Sequence, residues 1–227
     1  MEPVNMTLIN NLTKETALPR YSAAKKETLN TLMKDQVFEH AIRILETHGA
    51  EFLTLERLSN GIGVSRGTLY NYFADRNAII EFVEERMFSP ALAEMEYIAK
   101  GNESPTERLA HLIQTAIETL LKEPKIYFEL SETHTKTRKR TEPQAKRVSR
   151  IHTTVKDLIK EGIKTGEFIA MPLDLSTTIV LGSMEGVIDE LGRTDTKVPS
   201  NKIVSALLTV IMGGLTGGSY VGSWNKS

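Results

Sequence analysis

The chain contains no cysteine, which rules out disulfides, thiolate nucleophiles and cysteine-based zinc sites. Its five histidines, His40, His48, His111, His134 and His152, show neither His-x3-His spacing nor carboxylate pairing, so no metal site is expected. No glycine-rich loop follows a strand and no nucleophile elbow is present, so we expect neither an enzyme nor a cofactor. The longest apolar runs fall short of the roughly 20 residues of a membrane span, and a charged start followed by an apolar core is missing at the N-terminus. These absences lead us to expect a cytoplasmic protein with no membrane partner. Charge of one sign is lacking too. With a net charge of −1, no global field recruits nucleic acid, and any such recognition must come from a local surface. The 227 residues, 40% hydrophobic and 25% charged, have the composition of a globular protein long enough for a small domain and a larger one.

What is present is concentrated in residues 54–73. Thr54 is a good N-cap, and Leu55, Leu58 and Ile62 then recur at helical spacing. Gly61 and Gly63 are expected to break that helix, because glycine takes the left-handed geometry of a C-terminal stop. Ser65 caps a second helix, expected over residues 66–73, with Leu69 and Phe73 as its anchors. Two short helices joined by a tight glycine-containing turn form a helix-turn-helix, whose second helix lies in the DNA major groove. Arg66, Gly67, Thr68, Tyr70, Asn71 and Tyr72 are left for other faces. Arg donates to guanine, Asn pairs with adenine, and Thr or Tyr hydroxyls suit phosphates or base edges. Gly67 allows close approach of the helix start to the DNA backbone. An ordinary helical hairpin is the alternative.

The flanks support a small three- or four-helix domain. Residues 33–47 place Val37, Phe38, Ala41, Ile42 and Leu45 on one stripe, and Gly49 ends it. Asp75 caps a helix bearing Ile79, Ile80, Val83 and Met87. The order and spacing of Thr54-Leu55, the run from Gly63 to Tyr70, Tyr72-Phe73 and Asp75-Arg76 resemble the DNA-binding domain of the tetracycline-repressor (TetR-like) regulators, over residues 33–88. The resemblance implies that Ser65, Arg66, Gly67, Thr68, Tyr70 and Tyr72 meet DNA and that Thr54 and Arg76 grip phosphates. It departs at Arg76, where Lys is commoner, and at Tyr72, which often corresponds to His. One feature opposes it: residues 31–91 carry six Lys/Arg against nine Asp/Glu, a net of −3.

Residues 1–30 are polar and aperiodic and read as a mobile arm, residues 31–91 as the DNA-binding domain, and residues 92–227 as a helical domain. The whole chain reads as all-α, with about nine helices. These include separate helices over about 75–89 and 91–100, and a last one over 200–212 followed by a glycine-rich tail. The arm could reach DNA through Arg20, Lys25 and Lys26. In the last two helices, Ile179, Gly182 and Gly186 share one face and Ile203, Leu207 and Ile211 form an apolar stripe, suited to a four-helix dimer interface or to closing the chain's own core. The resemblance implies an effector pocket in the helical domain, for which Met95, Leu112, Ile113, Ala116, Tyr127, Phe128 and His152 are the candidates. The basic run from Lys136 to Arg150 is a solvated surface, an anion site or a second nucleic-acid contact. The function this suggests is a homodimeric repressor, released from a palindromic double-stranded operator by a small-molecule effector. An all-α assembly module whose helix-turn-helix no longer binds DNA is the alternative.

Overall fold

The computed structural model describes residues 23–137, 141–194 and 198–218. Among them are nine α-helices and one 3-10 turn, with no strand. The helices are α1 (Ala23–His48), α2 (Leu55–Ile62), α3 (Arg66–Tyr70), α4 (Arg76–Ala99), α5 (Pro105–Leu120), α6 (Pro124–Thr137), α7 (Glu142–Thr165), α8 (Leu173–Thr194) and α9 (Ser200–Leu215), with the 3-10 turn at Ala50–Phe52. Two compact units divide the chain, Met1–Val83 and Glu84–Ser227.

The first unit is built on α1, which buries Met33, Val37, Ala41, Ile44 and Leu45 against Leu58 and Ile62 of α2, Leu69 of α3, Phe73, and Ile79, Ile80 and Val83 of α4. The helix begins at Ala23, inside the stretch expected to be an arm, because Ala, Lys, Glu and Leu are good helix formers and Met33 is already core. Residues 1–22, with Arg20, lie outside the described residues. Gly49, at φ 91°, ends α1 by donating to the Ile44 and Leu45 carbonyls. Phe82 packs between Phe38 and Phe73, with ring centroids 6.4 and 5.2 Å away.

In the second unit, α5 opens with a reciprocal capping box between Ser104 and Glu107 and with Pro105 in its first turn. Leu109, Leu112, Ile113 and Ile117 of α5 pack with Val155, Leu158 and Ile159 of α7, Val180, Met184 and Ile188 of α8, and the buried face of α9. Backbones approach closely at Gly192, where a side chain would begin 2.6 Å from Phe128 Cβ and 2.8 Å from the Pro124 carbonyl. Arg108 is buried and satisfied, donating to the Glu103 and Ala99 carbonyls at 2.9 and 2.8 Å and to Glu161 at 2.5 Å.

Two further helix boundaries, in α4 and α9, differ from the sequence reading. Residues 75–100 hold one helix rather than two. Pro90 removes a donor and crowds the preceding turn, yet α4 continues past it because the next turns bury Leu92 and Met95. Gly213 and Gly214 belong to α9 rather than to a tail, since Leu215 beyond them is buried and its carbonyl accepts from Ile169 N at 2.8 Å.

Candidate nucleic-acid interface

The turn between α2 and α3 is fixed by caps at each of its corners. Thr54 Oγ1 accepts from Arg57 N at 3.2 Å, which starts α2. Gly63 stops it in the left-handed region at φ 79°, donating to Ser59 O at 2.9 Å, while Val64 N reaches the same carbonyl at 3.0 Å. Gly61 has a different task from the stop expected of it. It lies inside α2, and a Cβ there would sit 2.8 Å from His40 Cδ2, so its smallness brings α2 against α1. Ser65 Oγ then accepts from Thr68 N at 3.1 Å and pairs with Thr68 Oγ1 at 2.9 Å.

Helix α3 ends at Tyr70, a turn earlier than expected. The chain still curls on, with Tyr72 N and Phe73 N both donating to Leu69 O at 2.9 Å. Of its five residues only Leu69 is buried; Arg66, Gly67 and Tyr70 are exposed, Tyr70 by 57%, and Thr68 is half-buried. Asn71 is exposed, whereas Tyr72 is half-buried, and that burial holds its phenol above the ordinary pKa and so protonated. Gly67 has ordinary φ, and a Cβ there would meet only Ser65 Oγ at 3.7 Å. The fold therefore makes no demand for glycine at this exposed helical position, where it costs about 0.5–1 kcal/mol relative to Ala.

Both arginines of the expected contact surface are engaged within the unit. Arg66 reaches across to α2 and donates to Glu56 Oε2 at 2.5 Å, with both side chains more than half exposed. Arg76, assigned from the resemblance to a phosphate, ties α4 to the loop ahead of α2 through two of its nitrogens: Nε donates to Leu53 O at 3.0 Å and a terminal nitrogen to Ala50 O at 2.5 Å. It thereby supports the residue just before Thr54. Asp75 caps α4 as expected, accepting from Ala78 N at 2.9 Å. The sequence reading missed Glu56 and Arg57. Both line an open groove of about 670 Å³ with Phe52, Thr54 and Asn60, and the Arg57 guanidinium lies 5.1 Å from the centre of the Phe52 ring.

In the second unit, Met95, Leu112, Ile113 and Ala116 come together as expected, but as packed interior, with Tyr127 against it. Phe128 and His152 are half-buried, and the side chain of His134 lies outside the described residues. A surface cavity of about 270 Å³ is lined by Glu96, Ala99, Lys100, Thr154, Asp157, Leu158 and Glu161, none of them among the expected pocket residues. Within the basic run, residues 138–140 lie outside the description. Arg147 is largely buried and paired with the fully buried Glu84 at 2.7 Å, and Arg150 is paired with Glu96 at 2.8 Å. The last two helices need one correction. Ile203, Leu207 and Ile211 face the chain's own core, so this stripe is not free for a partner. The surface that remains open is Leu175, Ile179, Gly182 and Gly186 on α8, with Ala206, Val210 and Gly214 on α9; Ile179 is 58% and Val210 71% exposed.

No helix among the described residues is long and apolar enough to cross a membrane. Residues 37–83 match the family model of bacterial regulatory proteins of the tetR family, and residues 102–189 that of the tetracyclin repressor-like C-terminal domain. The nucleoid occlusion factor SlmA of Glaesserella parasuis is 33% identical over 92 residues, 40% of this chain and 45% of that protein. The chain spans about half the length of the curated relatives it matches. Among solved structures, the fatty acid degradation regulator FadR of Bacillus halodurans superposes with a TM-score of 0.69 at 19% identity, covering 81% of this chain and 96% of the other. FadR of Bacillus subtilis, in complex with stearoyl-CoA, gives 0.68 at 17% identity, covering 80% and 98%. The two family models together take in more than half of the residues, one for each part of the fold, and the chain belongs to the tetracycline-repressor family of bacterial regulators.

Proposed function

We propose that this protein is a cytoplasmic, ligand-responsive homodimeric repressor that reads a palindromic operator with α2 and α3. The observation that carries the proposal is the outward face of α3. One side chain anchors the helix, while Arg66, Gly67 and Tyr70 stand exposed with the chemistry of base and phosphate contact. The unneeded glycine at 67 supports the same reading, because close approach of another backbone is a reason to keep it. Thr54, Ser65, Thr68, Asn71 and Tyr72 complete the proposed contact surface.

Dimerisation is proposed through the small and apolar face of α8 and α9. Small residues four apart on α8, Gly182 and Gly186, let two helices approach closely, and α9 carries no charged residue from Ile203 to Leu215. An effector is proposed for the second unit. Its interior is packed around Leu112, Ile113 and Ala116, so binding must part these helices, and a ligand that prefers the parted state shifts the equilibrium toward it. Long-chain acyl-CoA is the first probe, since one solved structure of this fold holds stearoyl-CoA. The test is binding of duplexes from the DNA flanking the gene, across a salt series, with and without the probe. Specific, salt-dependent binding that Arg66→Ala weakens by about fivefold or more supports the proposal. Binding that is absent or sequence-blind sinks it and leaves an assembly module.

A further inference from the structure

Glu56 stands where an anion is least welcome. It occupies the first turn of α2, lines the same groove as Thr54, and is 63% exposed. A carboxylate beside a polyanion weakens attraction, and this unit is already net acidic over residues 31–91. The fold gives it only a modest reason: a carboxylate in the first turn of a helix is favoured by the helix dipole, weakly so at an exposed site. Its one ion pair, to Arg66, is exposed on both sides, and such pairs add little to stability. What the pair does achieve is geometric. It joins the two helices of the motif through side chains ten residues apart, and it holds one terminal nitrogen of Arg66 at 2.5 Å from Glu56 Oε2, leaving the rest of the guanidinium fork to point elsewhere.

The major groove offers one arrangement that such a pair fits. Base-edge donors there are the amino groups of cytosine and adenine; carboxylates accept from cytosine N4, and arginine donates to guanine O6 and N7. In a G·C pair these groups lie side by side. We propose that Glu56 is a specificity-determining residue, reading together with Arg66 a single G·C pair of each half-site as a charge-neutral acceptor–donor couple. The inference rests on the DNA-binding reading above. It trades overall attraction for discrimination: Arg66 brings no net charge while Glu56 is beside it, so wrong sequences gain little from it.

The test compares the intact wild-type protein with Glu56→Gln and Arg66→Ala. Each is measured by anisotropy against non-specific duplex at several salt concentrations and against a half-site library with every position varied. Circular dichroism should show all three folded, since both side chains are exposed. Glu56→Gln should bind non-specific DNA more tightly, with a salt dependence steeper by up to about one phosphate contact. Its preference for G·C at one half-site position should fall by about fivefold or more, and toward A·T, because glutamine pairs with adenine. Arg66→Ala should lose preference at the same position. If Glu56→Gln keeps the wild-type preference everywhere, or the two variants lose it at different positions, the composite reading is wrong although the protein still binds DNA. A wild-type protein that shows no specific binding overturns instead the proposed function on which this rests.

Discussion

Replacing Gly186 with leucine separates the proposed dimer face from the fold that presents it. In the single chain nothing lies within 4 Å of a Cβ built at Gly186, and the residue is exposed on α8. Leucine there meets no obstacle, and it favours helix over glycine by about 0.8–1 kcal/mol. The isolated fold should therefore melt no lower than wild type. In a dimer packed on this face the new side chain stands where two helices meet, and overpacking a tight contact costs about 1–3 kcal/mol. Two-fold symmetry meets the change twice, so the dimer should weaken by about 2–6 kcal/mol, roughly 30-fold to 10⁴-fold in dissociation constant. Sedimentation equilibrium over a dilution series reads that shift directly, and operator affinity should fall with it because a monomer reads one half-site. Gly192→Ala is the contrasting control. Its Cβ would begin 2.6 Å from Phe128 Cβ and 2.8 Å from the Pro124 carbonyl, so it should lower the melting temperature. A Gly186→Leu protein that dimerises as tightly as wild type would place the interface elsewhere. One that melts well below wild type would show that Gly186 serves the chain's own packing.

Arg76→Ala should lower stability by about 1.5–3 kcal/mol, the range for hydrogen bonds from a charged donor, because it removes the guanidinium from the Ala50 and Leu53 carbonyls; chemical denaturation reads this without DNA. If stability is unchanged and only DNA affinity falls, Arg76 is a phosphate contact after all. Gly67→Ala should raise stability by about 0.5–1 kcal/mol while weakening operator binding, and a variant improved in both would remove the close-approach argument. Glu167 tests pH dependence. Desolvation pushes its carboxyl up, but hydrogen bonds from Thr106, Thr165 and Ser104 outweigh it and hold the group below its ordinary value. A carboxyl lowered in the folded state stabilises fully above its unfolded-state value and loses that stabilisation as pH falls through the folded-state one. Glu167→Gln should therefore cost stability near neutral pH and flatten the decline between the two values in acid melts; identical acid limbs would refute it.

The motif was legible because its signals are local. Thr54, Gly63, Ser65 and Asp75 each cap a helix through atoms within a few residues, so residue type and spacing suffice. Contacts made across the chain left no such trace. Gly61 looks like a helix stop until His40 is seen beside it, and Arg76 looks like a free cation until the Ala50 and Leu53 carbonyls are found under it. Pro90 reads as a boundary because the sequence cannot weigh a lost hydrogen bond against the burial of Leu92 and Met95. The α9 stripe shows the same limit. Periodicity announced an apolar face at Ile203, Leu207 and Ile211, and packing decided that this face points inward while Val210 points out. The Glu56–Arg66 pair, ten residues apart, lies beyond any helical spacing rule.

The engagement of these arginines bears on how a net-acidic unit would hold DNA at all. Non-specific affinity rises with the number of phosphates that cations neutralise. Here Arg76 is held against two carbonyls and Arg66 stands beside Glu56, so neither of the expected contact arginines is free to swing to a phosphate, and Arg57 over the Phe52 ring is the cation that α2 still offers. A single unit should therefore bind its half-site weakly, and operator affinity must come from coupling two units. Once one unit is docked, the second meets its half-site at an effective concentration set by the dimer, so overall affinity can exceed that of either alone by about 10²–10⁴ without a new contact. On the proposed dimer, the α8–α9 face would be as much a part of DNA recognition as α3. A ligand that changes the spacing of the two units need not touch a DNA-contacting residue to release the operator; it need only break their simultaneous engagement. A monomeric variant that kept near-wild-type operator affinity would contradict this, and would require strong cationic contacts from Arg57 or from residues outside α2 and α3.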